Sequence, residues 1–473
     1  MKRICLYIFL IVLIIIPFSI TAQYDAQNVS LISHWYNPAQ VGEKSYGVKY
    51  NSVFGWVHPV NNKEYAILGS GSGTHFIDLS NPSNPVERDF VAGRRDSCLW
   101  REYKTYQKYL YAVSDNKSPN SFQIIDMSYL PDSVHVVYDD TTIFERSHTI
   151  FIDGDKLYCG SNTLALGGGY HSMAVYSLAN PQLPVLLRGL EQDYPNIGFA
   201  HDMFVRNDTV YASCGGQGLF IYKFNSNNTF SLINSLTAYP NQGYNHSSYL
   251  TPNGKTLVFC DEVPENLNVK ILDVTDLKNM SIIKSFKSNE GATAHNPYVF
   301  ETDRAVIAYY QDGLQIFDIS NPALPIKTGY FDTDTLKGKN TNFDNNPTYH
   351  GCWGAYVDLP SHLILASDMQ NGLYVLDASI ALGLKEKISF SNSVNIYPNP
   401  TNSSISITIN LKNTDAISIE LLDITGRKII EQWENIVPGN TIIPVNIQSL
   451  AAGIYVLKIS GKEISYSQKI VRE

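Results

Sequence analysis

The sequence predicts an all-β fold, a seven-bladed β-propeller closed by an N-terminal strand and followed by a small C-terminal β-sandwich. A phrase centred on an aspartate recurs at intervals of about 50 residues, which is the period of propeller blades. The chain contains 31 Tyr and only 17% charged residues, a composition that suits strands and turns. Apolar residues hardly ever follow the helical period over a dozen residues.

The recurring phrase places three or four apolar residues around the aspartate and then Ser or Thr, often followed by Asn-Pro. The fourth occurrence is degenerate. The phrase occurs at residues 76–82, 124–128, 175–181, 220–224, 271–275, 316–322 and 374–379.

Each repeat has room for four short strands. In the sixth repeat these are residues 295–300, 305–310, 314–319 and 325–331, with Asp312-Gly313 as a hairpin turn. Four antiparallel strands repeated radially describe a propeller blade, whereas a solenoid would need atypical capping repeats.

The seventh repeat ends after its third strand, near Ser379. Residues 29–35 resemble the fourth strands at 230–235 and 281–286. We therefore expect the N-terminal segment to complete the last blade, which would close the ring and remove exposed sheet edges.

The ends of the chain predict export. Residues 1–22 form a signal peptide, since Lys2 and Arg3 precede an apolar run that is too short to span a bilayer. A single membrane anchor is the alternative. The propeller occupies residues 23–384 and a linker occupies residues 385–394. Residues 395–473 form an all-β unit with strands near 405–411, 417–422, 441–447 and 454–459.

Charge and cysteine content exclude two classes of protein. The net charge of −9, with no basic block, makes the chain a poor nucleic-acid binder. Loss of Cys5 with the signal peptide leaves five widely spaced cysteines, an odd number that argues against a disulfide framework.

Two family resemblances cover most of the chain. Residues 27–380 resemble the LVIVD-repeat propellers of the choice-of-anchor B family, through the aspartate phrases and the segments 98–104 and 350–354. That resemblance implies a propeller fold and an extracellular setting but no established reaction. The C-terminal segment resembles the type A sorting domain of the type IX secretion system, at residues 397–401, 422–427, 450–455 and 468–471. This implies export by that machinery, cleavage of the domain, and release of the cargo or its attachment to surface lipopolysaccharide. An ordinary carbohydrate-binding sandwich is the alternative.

Histidines recur at the start of the first strand in five repeats, which in a ring places them at one level around the axis. These candidate metal ligands are His148, His201, His246, His295 and His350, with Ser97 as the counterpart in the second repeat. Imidazoles suit zinc, copper, iron or nickel, and carboxylates can orient them. The candidate carboxylates, which follow the second strands, are Asp115, Asp261, Glu262, Asp312 and Asp368.

The histidines have a structural interpretation as well, in which each one bonds an aspartate and holds strands together. That interpretation is favoured, and with it a monomeric binding module of undefined ligand. The alternative is a metal-dependent enzyme, a hydrolase, lyase or oxidase, that uses the axial histidines. We interpret Cys159, Cys214 and Cys260 as small packing residues.

Three further motifs give weaker functional signals. Packing in the core is favoured over sugar stacking for the tryptophans Trp56, Trp100 and Trp353. The glycine run 167–169 reads as a flexible turn. The acidic loop with Asp332, Asp334 and Asp344 lacks recognised calcium spacing.

Overall fold

The computed structural model describes residues 24–116, 119–165, 168–334, 350–384, 394–411, 414–423, 427–437, 439–461 and 465–473. The predicted signal peptide and the predicted linker, except for its last residue Val394, lie outside these residues. Gly167 and Asp344 also lie outside them. Almost all regular structure is β-strand, and the described helical element is a 3₁₀ turn at Leu190–Gln192.

Residues 26–377 form seven antiparallel sheets, here called blades 1 to 7 in chain order of their innermost strands. Two short strands come first, β1 (Ala26–Gln27) and β2 (Ser30–Trp35). Blade 1 has β3 (Tyr50–Val57), β4 (Glu64–Ser70), β5 (Gly73–Asp78) and β6 (Val86–Ala92). Blade 2 has β7 (Arg101–Tyr106), β8 (Tyr109–Ser114), β9 (Phe122–Asp126) and β10 (His135–Asp140). Blade 3 has β11 (Thr149–Asp153), β12 (Lys156–Thr163), β13 (Tyr170–Ser177) and β14 (Val185–Gly189).

The remaining blades follow the same plan. Blade 4 has β15 (Asp202–Arg206), β16 (Thr209–Ser213), β17 (Leu219–Phe224) and β18 (Phe230–Leu236). Blade 5 has β19 (Asn245–Leu250), β20 (Thr256–Asp261), β21 (Val269–Asp273) and β22 (Ser281–Phe286). Blade 6 has β23 (Pro297–Phe300), β24 (Arg304–Ala308), β25 (Leu314–Asp318) and β26 (Ile326–Phe331). Blade 7 has β27 (Cys352–Tyr356), β28 (Ile364–Asp368) and β29 (Gly372–Asp377).

The N-terminal segment closes the ring. Strand β2 pairs antiparallel with β29, with Ser30 opposite Asp377 and Trp35 opposite Leu373, as expected from the sequence. Strand β1, which the sequence did not predict, adds a fifth strand to blade 6 by pairing Ala26 with Phe331. One continuous segment therefore joins the outer edges of blades 6 and 7.

Apolar side chains pack between neighbouring blades. The innermost strands of blades 1 to 6 contact one another in chain order, and β27 of blade 7 contacts β24 of blade 6 and β3 of blade 1. At that junction, Leu365 and Val375 of blade 7 pack with Tyr50, Leu68 and Ile77 of blade 1. The second and third strands of a blade are therefore buried on both faces and almost continuously apolar, as in β8 and β9, whereas outer strands such as β10 are exposed.

The recurring aspartate has a structural role at the end of the third strand. Asp78 accepts a hydrogen bond from the backbone N–H of Ser80, and Asp318 does the same for Ser320. Such side-chain turns favour Asp followed two residues later by Ser or Thr. Although burial opposes it, hydrogen bonding by Ser80 and Arg88 lowers the pKa of Asp78. The phrase that defines the repeat is therefore a turn signal and not a catalytic motif.

The C-terminal unit is a sandwich of two sheets over a common apolar core. One sheet contains β30 (Val394–Tyr397), β31 (Ser404–Leu411) and β34 (Gly439–Asn446). The other contains β32 (Asp415–Asp423), β33 (Lys428–Ile436), β35 (Gly453–Ser460) and β36 (Ser465–Arg472). Alternate residues such as Ile405, Ile407 and Ile409 point into the core, as the strand period of two requires.

Candidate functional site

A cavity of about 510 Å³ lies where the first strands of the seven blades face one another. Residues of every blade line it, from Val53 and Phe54 of blade 1 to Trp353 and Tyr356 of blade 7. This volume is in the range of sites for small organic ligands.

Four of the five predicted histidines lie ring against ring along this cavity. The ring centroids of His148 and His201 are 4.1 Å apart, those of His201 and His246 are 4.2 Å apart, and those of His246 and His295 are 4.5 Å apart. Equal register in successive blades has therefore brought side chains from four blades together.

His350, the fifth predicted histidine, is not among the residues that line the cavity. The cavity is lined at this level by Trp353, three residues further on, and the Trp353 and His295 rings are 4.3 Å apart. On the other side of the row, Trp100 takes the place predicted for Ser97, with its ring 6.4 Å from that of His148. We call Trp100, the four histidines and Trp353 the histidine tier.

Strand irregularities explain part of this register. In blade 5 the pairing shifts between Asn245 and Ser247, which leaves His246 as the extra residue of a β-bulge. In blade 7 the shift falls between Cys352 and Gly354, so Trp353 is the extra residue. Bulges redirect a side chain, and here they direct it toward the channel axis.

Hydrogen bonds fix which nitrogen of each ring carries the proton. His201 Nδ1 lies 2.9 Å from the carbonyl oxygen of His246, and His295 Nδ1 lies 2.5 Å from that of Trp353. A carbonyl oxygen can only accept, so Nδ1–H is the donor in both rings. Each bond also ties one blade to the next.

The other two rings follow the same rule. The hydroxyl of Ser247 donates to the carbonyl of His295 and accepts from His246 Nδ1 at 3.0 Å. His148 Nδ1 donates to Asp115 at 2.7 Å. In its neutral form, each of the four rings therefore carries the lone pair on Nε2, which is the atom that can bind a ligand.

Burial keeps most of these imidazoles neutral. It lowers the pKa of His201 and His246 well below 6.5, and neighbouring histidines add to the effect. It also lowers the pKa of His295 to about 3. Burial opposes the charged form of His148 too, but the hydrogen bond and charge of Asp115 outweigh it and raise that pKa.

A carboxylate completes a group of possible metal ligands. One ligand atom each of His246, Glu262 and His295 lies within 4.8 Å of the other two. His246 Nε2 is 3.7 Å from Glu262 Oε2. Tyr310 donates a 2.5 Å hydrogen bond to the other oxygen, Oε1, and so orients the carboxylate. Burial raises the pKa of Glu262.

The remaining predicted carboxylates divide. Asp115 bonds His148 as described, but three others are engaged away from the histidines, contrary to expectation. Asp261 is fully buried in an ion pair with Lys270. Asp312 accepts two hydrogen bonds of 2.8 Å from Asn289. Asp368 accepts hydrogen bonds from the backbone N–H groups of Gln370 and Asn371.

Sequence reasoning missed a second ring of aromatic side chains three residues further along the first strands. We call it the aromatic tier. Its members are Phe54, Phe151, Phe204, Tyr249, Tyr298 and Tyr356. Neighbouring rings contact one another, with centroids 5.2 Å apart for Phe151 and Phe204 and 4.7 Å apart for Phe54 and Tyr356. Five of the six, all but Phe54, lie three residues after a member of the histidine tier, and this regular offset was the signal that could have revealed them.

Acidic side chains also line the cavity. Asp202 accepts hydrogen bonds from the backbone of Met203 and from Thr149, and both end on Oδ1. Burial, with the charge of Glu102, raises the pKa of Asp202 to about 6. Glu102 accepts hydrogen bonds from Ser52 at 2.6 Å and from Lys104 at 3.0 Å. Burial also raises the pKa of Asp358, another lining residue.

One chain of contacts outside the cavity has the connectivity of a catalytic triad. His75 bonds Glu87 through Nδ1 at 2.6 Å and Ser70 through Nε2 at 3.0 Å. The Ser70 side chain is fully buried and lies 3.2 Å from the carbonyl of Gly73, to which it donates. A nucleophile that substrate cannot reach does not catalyse, so this chain holds the hairpin of blade 1 together.

The tryptophans and cysteines separate by role. Trp56 packs in the core against Tyr65. Trp353 belongs to a buried apolar cluster against which Trp100 packs, as expected, and both side chains also line the cavity. The cysteines of the described propeller are buried and free. Burial raises the pKa of the Cys159 and Cys260 thiols, which disfavours thiolate chemistry.

Two family models match separate parts of the chain. The family model of the LVIVD repeat matches residues 64–92 and 303–333. The model of the secretion system C-terminal sorting domain matches residues 395–473. A comparison with curated proteins found no match.

Solved structures with similar folds are distant in sequence. PorZ, an essential surface component of the type IX secretion system of Porphyromonas gingivalis, is 12% identical with a TM-score of 0.45. The match covers 87% of this chain but only 58% of the PorZ chain. A protein from Lactobacillus plantarum is 11% identical, with coverage of 84% and 99% and a TM-score of 0.48. The Myceliophthora thermophila Cps50 (Swd1) propeller is 10% identical, with coverage of 72% and 99% and a TM-score of 0.46.

The sorting domain defines the class of this protein. The chain contains LVIVD repeats within its propeller and ends in a secretion system C-terminal sorting domain, which indicates export through the type IX secretion system to the cell surface or the medium. Within the described part of the chain, no helix is long and apolar enough to cross a bilayer.

Proposed function

We propose that the exported propeller is a metal-dependent enzyme whose metal centre lies in the histidine tier. The observation that carries this proposal is the group formed by His246, His295 and Glu262, whose ligand atoms lie within 4.8 Å of one another. Two imidazoles and one carboxylate are a donor set of catalytic zinc and of non-haem iron, and three protein ligands leave positions open for water and substrate.

The ring spacing supports a shared ion. A ligand nitrogen about 2.0–2.1 Å from zinc places the ring centre about 3.2 Å from the ion, so two rings whose nitrogen–metal directions meet at about 90–110° have centroids about 4.5–5.2 Å apart. The His246 and His295 centroids are 4.5 Å apart, and those of His201 and His246 are 4.2 Å apart.

The surrounding contacts prepare these residues for a cation. Neutral rings with protonated Nδ1 present Nε2 lone pairs, and each Nδ1–H has a fixed acceptor, as is usual for metal-binding histidines. Tyr310 holds Glu262 through one oxygen and leaves the other, Oε2, toward His246. A bound cation would relieve the cost of burying this carboxylate.

When bound, the metal would supply Lewis acidity and activate water. The chain's own residues then position the substrate, since the cavity continues from the histidine tier to the aromatic tier. Asp202 lies next to His201 in the same cavity and can accept a proton there.

Metal content of the exported protein tests the proposal. After incubation with zinc, manganese, iron, cobalt, nickel or copper and gel filtration, we expect about one ion per chain by mass spectrometry. His246→Gln, His295→Gln and Glu262→Gln should each weaken binding at least about tenfold. His135→Gln, on the outer strand of blade 2, is the matched control and should bind normally. The proposal is refuted if the wild type takes up no stoichiometric metal, or if the variants at these three positions retain it.

A second candidate is a binding module that needs no metal. The aromatic tier favours it, because stacked rings can hold a ligand without chemistry. The two candidates differ in one observable. Ligand binding by a module survives removal of metal with a chelator, whereas turnover by a metal-dependent enzyme stops.

The final location and oligomeric state are also proposals. We expect a monomer that is either released or attached to lipopolysaccharide after the sorting domain is removed. Light scattering on the exported product measures its mass, and a shift of surface-bound protein to the medium in a lipopolysaccharide-deficient strain identifies attachment. A dimer mass, or unchanged surface retention in that strain, would contradict the respective expectation.

A further inference from the structure

The aromatic tier lies in the cavity beside the histidine tier and is richer in aromatic faces than metal binding requires. Phe54, Phe151, Tyr249, Tyr298 and Tyr356 all line the cavity. Their side chains are partly exposed although they belong to the innermost strands. Aromatic faces carry partial negative charge and attract the weakly positive C–H groups of a saturated ring.

Hydrogen-bond acceptors stand beside these rings. Both protein hydrogen bonds to Asp202 end on Oδ1, and Oδ2 takes part in neither. Glu102 accepts from Ser52 and Lys104 on its two oxygens, each of which retains a further lone pair. Asp358 is an exposed acceptor among the lining residues. The cavity therefore offers carboxylate acceptors to a ligand that brings hydroxyl donors.

Charge excludes anionic ligands from this cavity. The lining carboxylates are Glu102, Asp202, Glu262 and Asp358. The lining cations are engaged, since Lys104 bonds Glu102 and Arg101 donates to the backbone carbonyl oxygens of Ser70 and Arg95. A divalent ion at the proposed centre would bring the formal charge of the lining side chains to balance. A neutral ligand then meets no uncompensated charge, whereas an anion would face carboxylates without a free counter-ion.

We propose that the cavity binds a neutral saccharide, with one face of a sugar ring on the aromatic tier and its hydroxyls on Asp202, Glu102 and Asp358. The inference rests on the proposed function in placing the sugar next to a metal centre, but saccharide binding itself uses residues outside the metal ligands. A ring that stacks and donates several hydrogen bonds satisfies both kinds of lining group. A purely apolar ligand would leave the carboxylates without partners.

Titration calorimetry on the exported protein tests this assignment. The probes are glucose, galactose, mannose, xylose, N-acetylglucosamine and their β-linked disaccharides, with glucuronate and glucosamine as charged comparators. We expect saturable binding of at least one neutral sugar. The matching uronate should bind at least about tenfold more weakly. Absence of binding by every neutral probe, or tighter binding of a charged comparator, would overturn the proposal.

Two variants assign the binding to this cavity. Tyr249→Leu removes a stacking face and Asp202→Asn removes a charged acceptor, and each should weaken binding roughly tenfold or more. Tyr129→Leu is the control, because Tyr129 stacks on His135 in blade 2, outside the cavity. Circular dichroism verifies folding, and unchanged affinity in both cavity variants would refute the assignment.

The metal measurement separates the two proposals. Tyr249→Leu should retain the metal of the wild type while losing sugar affinity. If the wild type binds sugar but no metal, the proposed enzyme fails and the saccharide site stands. If it binds metal but no neutral sugar, the saccharide site fails and the metal centre stands.

Discussion

A buried ion pair in blade 5 allows a stability prediction to be worked through. The side chains of Lys270 and Asp261 are both fully buried and form an ion pair with each other. Asp261 also accepts a 2.7 Å hydrogen bond from Tyr239, and Lys270 donates to the carbonyl of Asn241. Lys270→Met keeps the length of the side chain but leaves a buried carboxylate without its counter-ion. Removing one partner of such a pair costs about 3–5 kcal/mol.

The variant has one escape, which is protonation of the stranded carboxyl. An aspartate in an unfolded chain has a pKa of about 3.9, so neutralising one costs about 4 kcal/mol at pH 7 and about 1.5 kcal/mol at pH 5. The loss in unfolding free energy is therefore capped near these values. The loss in unfolding free energy grows as the pH rises, because the carboxyl must be protonated in the folded state.

Urea unfolding followed by tryptophan fluorescence at pH 7 and pH 5 measures this loss. We expect about 4 kcal/mol at pH 7 and about 1.5 kcal/mol at pH 5. The double variant Asp261→Asn/Lys270→Met should recover much of the loss, since no charge is then buried. Lys284→Met, at an exposed position of β22, is the control. A loss below about 1 kcal/mol at pH 7, or an equal loss at both pH values, would refute the reasoning.

Four further predictions concern the whole chain. Deleting residues 24–35 should expose the edges of two sheets, causing aggregation in size-exclusion chromatography, and a monodisperse variant with unchanged melting temperature would contradict ring closure. Burial raises the pKa of Asp332 and of Asp368 to about 7, so the melting temperature should fall as the pH rises from about 4 to 7, and Asp368→Asn should reduce that slope. The buried cysteines should resist a thiol reagent until the protein unfolds, and rapid labelling of native protein would contradict this. Removing residues 395–473 should leave a folded propeller in the periplasm. Cell fractionation measures this, and delivery of the truncated protein to the surface would contradict the prediction.

The fold was largely predictable because each blade repeats the same local signals. The Asp-x-Ser/Thr turn marks the end of a third strand, and its recurrence reveals the period. Residues 29–35 could be assigned to blade 7 because they match other fourth strands in sequence. Strand β1 could not be predicted, since two residues carry no periodicity and its partner, β26, lies at the other end of the propeller.

The site was predictable only to within a few residues. Counting from the aspartate landmark found four of the cavity histidines but selected His350 in place of Trp353. A bulge inserts one residue and changes which side chain faces the axis, and composition does not reveal it. Asp261 and Glu262 were equivalent candidates in the sequence. In the structure, Asp261 pairs with Lys270 inside the blade and Glu262 faces the channel.

The pairing of β2 with β29 has a consequence for the order of events during export. Ser30 leaves the ribosome early, whereas its partner Asp377 is among the last propeller residues to be made. The blades between them can form from local contacts, but the ring cannot shut until this long-range contact forms, and contacts of such sequence separation are slow. The sorting domain begins at residue 395, shortly after β29 ends. The last propeller strand needed to close the ring and the sorting domain are therefore synthesised one shortly after the other.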